Sequence, residues 1–149
     1  MASSPDSSTF PRPPKVQDRR VFQLDLTDHV EGVWDAHIPI VQQCTLEGVG
    51  IEFDLLDDSE RLLAAMESLS GAMNLTIQER HHHRFAPQGL TAVFLLSDSH
   101  LAVHSWPEKR YIHVDLVTCT TRDISIELLV HVFGQEFGPT HIRAHKTRY

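Results

Sequence analysis

Apolar and polar positions along the chain follow two periods. Short, largely apolar runs occupy Leu90 to Leu96, Leu101 to Ser105 and Tyr111 to Thr118, each one strand long. The last two are joined through a Pro107 to Arg110 turn. Ile38 to Thr45 reads as an earlier strand, with Pro39 marking an edge or a start. Leu75 to Phe85 alternates partly and leads into the turn Ala86-Pro87-Gln88-Gly89, and Thr140 to Thr147 can form a last strand. Between the first two strands the period changes. Leu62, Met66, Leu69 and Met73 fall at i, i+4, i+7 and i+11, one stripe of a helix. Asp57-Asp58-Ser59-Glu60 supplies its start, with an acid three residues after Asp57, and Gly71 and Asn74 its end. Asp123 or Ser125 caps a second helix through Phe133, with Gly134 and Gly138-Pro139 as stops. The order predicts an α/β (α+β) fold: a two-layer sandwich of a mostly antiparallel sheet with helices on one face.

Composition narrows this picture. Residues 1–30 read as a disordered tail or extension, because four of the eight prolines (Pro5, Pro11, Pro13 and Pro14) stand among serines and charges there. That leaves 31–149 as a single domain. A formal net charge of −7 argues against a nucleic-acid partner, although the eleven histidines soften it near neutral pH. Two cysteines, Cys44 and Cys119, are too few for a disulfide framework and point to a reducing, cytoplasmic setting. No apolar run approaches the ~20 residues that span a bilayer, so no membrane partner is expected.

Reactive side chains concentrate in one place. Ser97-Asp98-Ser99-His100-Leu101-Ala102-Val103-His104-Ser105-Trp106-Pro107-Glu108 sets an acid–serine pair beside two histidines, and Cys119 follows one strand later. Other readings of the chemistry are weaker. His81-His82-His83 would alternate between strand faces and so could not all ligate one ion, and there is no CxxC or HExxH, so no metal is expected. Ser99, His104 and Asp115 lack the GxSxG elbow of a serine hydrolase. Alone, Cys119 would be a small hydrophobe at a strand end, Trp106 a packing aromatic and Glu108 a turn acid.

Three segments together change that balance. His83-Arg84-Phe85-Ala86-Pro87-Gln88-Gly89-Leu90-Thr91, the serine run, and Val114-Asp115-Leu116-Val117-Thr118-Cys119 resemble the short, prokaryotic type of S-adenosylmethionine decarboxylase proenzyme. That family carries HxFxPxG(V/L)(S/T), ESHxxxHTWPE and D(L/I)FTC in this order and spacing. The resemblance is strong over 81–119 and weaker over 37–145. It implies a pyruvoyl-dependent carboxy-lyase that cuts itself between Asp98 and Ser99, into chains of 98 and 51 residues. Ser99 would become the covalent pyruvoyl group. His104 would be the base that completes processing, and Thr91 would assist it. Cys119 would reprotonate the α-carbon after decarboxylation. Phe85 would stack on adenine, Glu108 would bind the ribose hydroxyls and Trp106 would shape the pocket. The implied product is the aminopropyl donor of spermidine synthesis, and the implied assembly is a homodimer of processed protomers with active sites at the subunit interface. Asp98 in place of glutamate, Ser105 in place of threonine and Thr120 in place of glycine depart from the family pattern. Two alternatives stay open: arginine or ornithine as the substrate of the same cofactor, and an uncut, non-catalytic partner of a paralogue.

Overall fold

The computed structural model describes residues 39–148. Strand β1 is Gln42–Val49, followed by a short helix α1, Phe53–Asp57, and by α2, Ser59–Ala72. Strands β2 (Ile77–Arg84), β3 (Leu90–Leu96) and β4 (Ser99–Trp106) come next. A 3-10 turn, Pro107–Lys109, leads to β5, Tyr111–Thr118, and helix α3 (Ile126–Phe137) and strand β6 (His141–Arg148) complete the order. All pairings are antiparallel in one six-stranded sheet, β2-β3-β4-β5-β1-β6. This is the two-layer α+β arrangement expected from the sequence.

Strict alternation buries one face of the sheet. Leu90, Ala92, Phe94 and Leu96 of β3, Leu101 and Val103 of β4, and Ile112, Val114 and Leu116 of β5 meet the helical stripe of Leu62, Met66, Leu69 and Met73 and the α3 residues Leu129, Phe133 and Phe137. Burying a side chain of this size contributes about 1.5–3 kcal/mol, so this layer supplies most of the driving force for folding. Gly48 is required where α3 crosses β1: a Cβ there would lie 2.8 Å from the Phe133 ring. The opposite face of the sheet carries Thr91, His104, His113, Asp115 and Glu47 and has no helix over it among the described residues.

Several boundaries move from their expected places. β1 begins and ends four residues after the predicted 38–45, because the buried alternation runs through Gln42, Cys44 and Leu46. Residue 38 and the predicted tail 1–30 lie outside the described residues. Asp58, not Asp57, caps α2, accepting from the amides of Glu60 and Arg61. Ser125 caps α3, which runs through Gly134 and ends at Gly138 in the left-handed region. β4 starts two residues early, so that Ser99 lies in the ladder. Among the described residues no helix is long and apolar enough to cross a membrane.

Candidate active site

The serine end of the site is built on a hairpin. Leu96 pairs with Ser99, leaving Ser97 and Asp98 as a two-residue turn between β3 and β4. Ser97 anchors the turn: its amide donates to the Thr76 carbonyl at 3.0 Å and its hydroxyl accepts from Gln78 Nε2 at 2.6 Å. Ser99 has φ of +124°, a region that L-residues rarely occupy. Such a backbone costs about 1–3 kcal/mol and persists only where its surroundings impose it. The amide of Cys119 donates to the Asp98 carbonyl oxygen at 2.9 Å. That bond polarises the carbonyl next to Ser99 and fixes Cys119 one step past the end of β5. The Ser99 hydroxyl lies 3.2 Å from His100 Nδ1.

The loop after Cys119 is held from beneath by Gln42. This side chain is fully buried, donates to the carbonyls of Thr120 (2.9 Å) and Arg122 (2.8 Å), and accepts from the Ile124 amide (3.1 Å). A buried amide with these bonds made is a strong local constraint. Cys119 itself is exposed, whereas Cys44 is buried and its thiol is pushed up by that burial.

A second cluster lies at the other end of β3 and β4. Thr91 Oγ1 and His104 Nδ1 are 2.9 Å apart across the ladder. Burial first, then the neighbouring His113, holds His104 below the ordinary histidine range, against the pull of Asp115. Trp106 stacks beside Tyr111 at 5.4 Å and His104 at 6.2 Å. Phe85, Thr91, His104, Trp106 and Glu108 line one cleft of about 300 Å³, at the small end for a ligand site. Asp57, which sequence reasoning treated only as a helix start, pins this end. It accepts from the Gly89 amide at 2.9 Å and from Arg84 at 2.5 Å, bracketing the turn that presents Phe85. Ser105 adds a bond to the Leu56 carbonyl at 2.8 Å.

The two clusters do not meet within the chain. Ser99 and His104 are five residues apart on β4, which is about 16 Å of strand. An odd separation also places them on opposite faces. The hydrolase triad is likewise not assembled, since Ser99 lies on the other face from His104, and Asp115 accepts from Gln43 at 3.0 Å. The histidine run lies on the exposed strand β2, where His81 pairs with Glu79 and His83 packs on Phe85. Among the described residues no group of three or more His, Cys, Asp or Glu is placed to hold a metal ion.

The sequence profile of the S-adenosylmethionine decarboxylase family matches residues 42–148, which include all six strands. The chain belongs to that family. Among similar family members, the S-adenosylmethionine decarboxylase proenzyme of Clostridium botulinum (strain Loch Maree / Type A3) is 37% identical over 71 residues, covering 48% of this chain and 61% of the relative. The proenzyme of Pelotomaculum thermopropionicum is 40% identical over 70 residues, covering 47% and 56%. The chain thus spans about three fifths of the length of these curated relatives. The crystal structure of the adenosylmethionine decarboxylase from Aquifex aeolicus VF5 superposes with a TM-score of 0.65 at 26% identity, over 73% of this chain and 89% of that one.

Proposed function

We propose that the protein is a self-processing S-adenosylmethionine decarboxylase whose pyruvoyl group forms from Ser99. The observation that carries this reading is the Asp98-Ser99 bond itself: a carbonyl held by the Cys119 amide, next to a serine in a strained conformation. Attack of the Ser99 hydroxyl on that carbonyl forms an ester as the peptide bond breaks, with the proton passing to the Ser99 nitrogen. The Cys119 amide stabilises the oxyanion as it develops. Removal of the Ser99 α-proton then expels the Asp98 carboxylate, and the remaining dehydroalanine hydrolyses to the pyruvoyl ketone and ammonia. The α-carbon becomes planar, which removes the cost of φ at +124°.

The residues at position 99 fit such a group. The neighbouring cysteine can donate a proton, and the buried Thr118 hydroxyl across the ladder has no partner among the described residues. A pyruvoyl ketone at this position would supply an electron sink for the pair left as CO₂ departs. Cys119 returns a proton to the substrate α-carbon. Phe85 offers an aromatic face to adenine and to the sulfonium, a contact worth about 0.5–2 kcal/mol. Glu108 accepts from the ribose hydroxyls, and Trp106 closes the side of the cleft.

His104 and Ser99 must act on the same atoms, yet one chain holds them about 16 Å apart on opposite faces. The reading therefore requires two chains, the hairpin of one protomer meeting the His104 cleft of its partner in a homodimer. A two-fold axis makes two such sites at once. The soluble cytoplasm suits both the free thiol and the substrate.

Denaturing mass spectrometry tests the cut: chains of 98 and 51 residues are expected, the second carrying a pyruvoyl end. An intact chain after prolonged incubation would favour the uncut, non-catalytic partner. Release of ¹⁴CO₂ from carboxyl-labelled S-adenosylmethionine tests the substrate. Release from arginine or ornithine in its place would sink this assignment while leaving the pyruvoyl group standing.

A further inference from the structure

Thr118 is wholly buried at the end of β5, and its hydroxyl is the only buried side-chain polar atom without a hydrogen-bond partner among the described residues. Leaving such a group unpaired is costly, and a valine would fill the same space without that cost. Its two neighbours across the sheet are Gln42 on β1 and Ser99 on β4. Gln42 directs its amide elsewhere, to Thr120, Arg122 and Ile124. Of the two cross-strand neighbours, Ser99 is the one whose side chain is left to answer the hydroxyl.

The ladder brings the two close. The bond from the Cys119 amide to the Asp98 carbonyl makes 98 and 119 a hydrogen-bonded pair. Such pairs alternate along an antiparallel ladder, so Ser99 and Thr118 form a non-hydrogen-bonded pair. In these pairs the Cα atoms approach to about 4.5 Å and the side chains are nearest. The Ser99 oxygen is turned toward His100 Nδ1 at 3.2 Å, a long contact that one side-chain rotation exchanges for another.

We infer that Thr118 is a positioning residue for self-cleavage, its buried hydroxyl holding the Ser99 oxygen for attack on the Asp98 carbonyl. The inference rests on the self-processing reading above. In that step the Ser99 oxygen–carbon bond forms, the carbon–nitrogen bond of the peptide breaks, and the serine proton ends on the nitrogen. Nothing is oxidised or reduced. Thr118 fixes the direction of the oxygen, while the Cys119 amide fixes the carbonyl. One strand end thus holds both reacting groups.

The test follows cleavage of the full chain by denaturing mass spectrometry in wild type, Thr118→Val and Thr118→Ser. Thr118→Val is expected to cut at least about tenfold more slowly, the loss of one hydrogen bond to the reacting group, and Thr118→Ser to cut within about threefold of wild type. Thermal unfolding is read in a Ser99→Ala background, where no chain is cut. There Thr118→Val is expected to leave the unfolding temperature unchanged or raised, which separates positioning from folding. Hydroxylamine, which cleaves esters, is expected to release no more product from Thr118→Val than from wild type. Wild-type cleavage by Thr118→Val would overturn the inference. So would a lowered unfolding temperature together with failure of Thr118→Ser to cut. An accumulating hydroxylamine-sensitive ester in Thr118→Val would move the hydroxyl to the later elimination and overturn it as stated. If wild type itself stays uncut, the self-processing reading falls first and this inference with it.

Discussion

A histidine that takes a proton must begin uncharged. Burial and His113 hold His104 below its ordinary value of 6.5, so its neutral form persists to lower pH than that of a free histidine. With His104 as the proposed base, the rate of the proposed self-cleavage is accordingly expected to hold as pH falls through 6.5 and to drop only in more acid solution. His113→Ala removes a like charge and is expected to shift that drop to higher pH; time courses of chain cleavage from pH 4 to 8 would read it. A drop centred above 6.5 in wild type would contradict the role of His104 as base. Glu47 behaves differently. Its bond to Arg143 first, and the Tyr111 hydroxyl at 2.7 Å after it, lower its carboxyl from 4.5 to about 2. The folded value lies below the unfolded one, so the stabilisation is present above pH 4.5 and is lost as pH falls toward 2. Glu47→Gln is expected to cost about 1 kcal/mol at neutral pH and to flatten acid unfolding in that window, as measured by denaturant titration. Tyr111 is raised by the same arrangement, burial first and Glu47 next.

Elements were legible where punctuation was hard. β3 and β5 run from Leu90 to Leu96 and from Tyr111 to Thr118, as the alternation predicts, because glycine, proline or polar turns bound them. β1 was not, since Ile40 and Val41 are apolar without being core positions, while the buried Gln42 is polar. Gln42 earns its burial only from partners 78 to 82 residues away, which no local pattern reveals. The same holds for Asp57, whose acid reads as a cap until the fold delivers Arg84 and Gly89 to it. The strain at Ser99 also comes from the hairpin and not from residue type. Two substitutions test elements directly. Gly48→Ala forces Phe133 aside and is expected to cost about 1–3 kcal/mol of stability, read by denaturant unfolding. Asp57→Ala frees the turn that carries Phe85, so KM for the proposed substrate, S-adenosylmethionine, is expected to rise about tenfold while the proposed cleavage at Ser99 persists. Equal loss of both would mean that Asp57 supports the fold as a whole.

At the scale of the molecule, the separation of the two clusters is itself an experiment. Ser99→Ala chains lack a cleavable bond, and His104→Ala chains lack the proposed base. In a mixed dimer, the His104→Ala chain would offer its serine to an intact His104 of the other chain. Mixing the two variants in equal amounts is expected to restore cleavage of the His104→Ala chain, about half of whose copies statistical pairing places in mixed dimers at any one time. No rescue after verified exchange of subunits would place serine and histidine in the same protomer or remove histidine from the step. The candidate site was thus legible as a set of proposed residues and not as a place. Motif order gave their identities, while their distribution over two faces of a strand emerges only from the register.

The turn between β3 and β4 holds a last implication. A cut there leaves both strands in the sheet, each still bonded to its neighbours, so the core remains in place. What is lost is the thread that once guided them together. Up to that moment folding is a search by one molecule; afterwards it is an encounter between two, and the shorter piece carries β4, β5, α3 and β6 but none of β3, β1 and α2, on which they pair and pack. The uncut Ser99→Ala protein should therefore recover from denaturant, while the cut protein should recover poorly and in a manner that depends on dilution. Making the cofactor would turn a reversible fold into one that is assembled once.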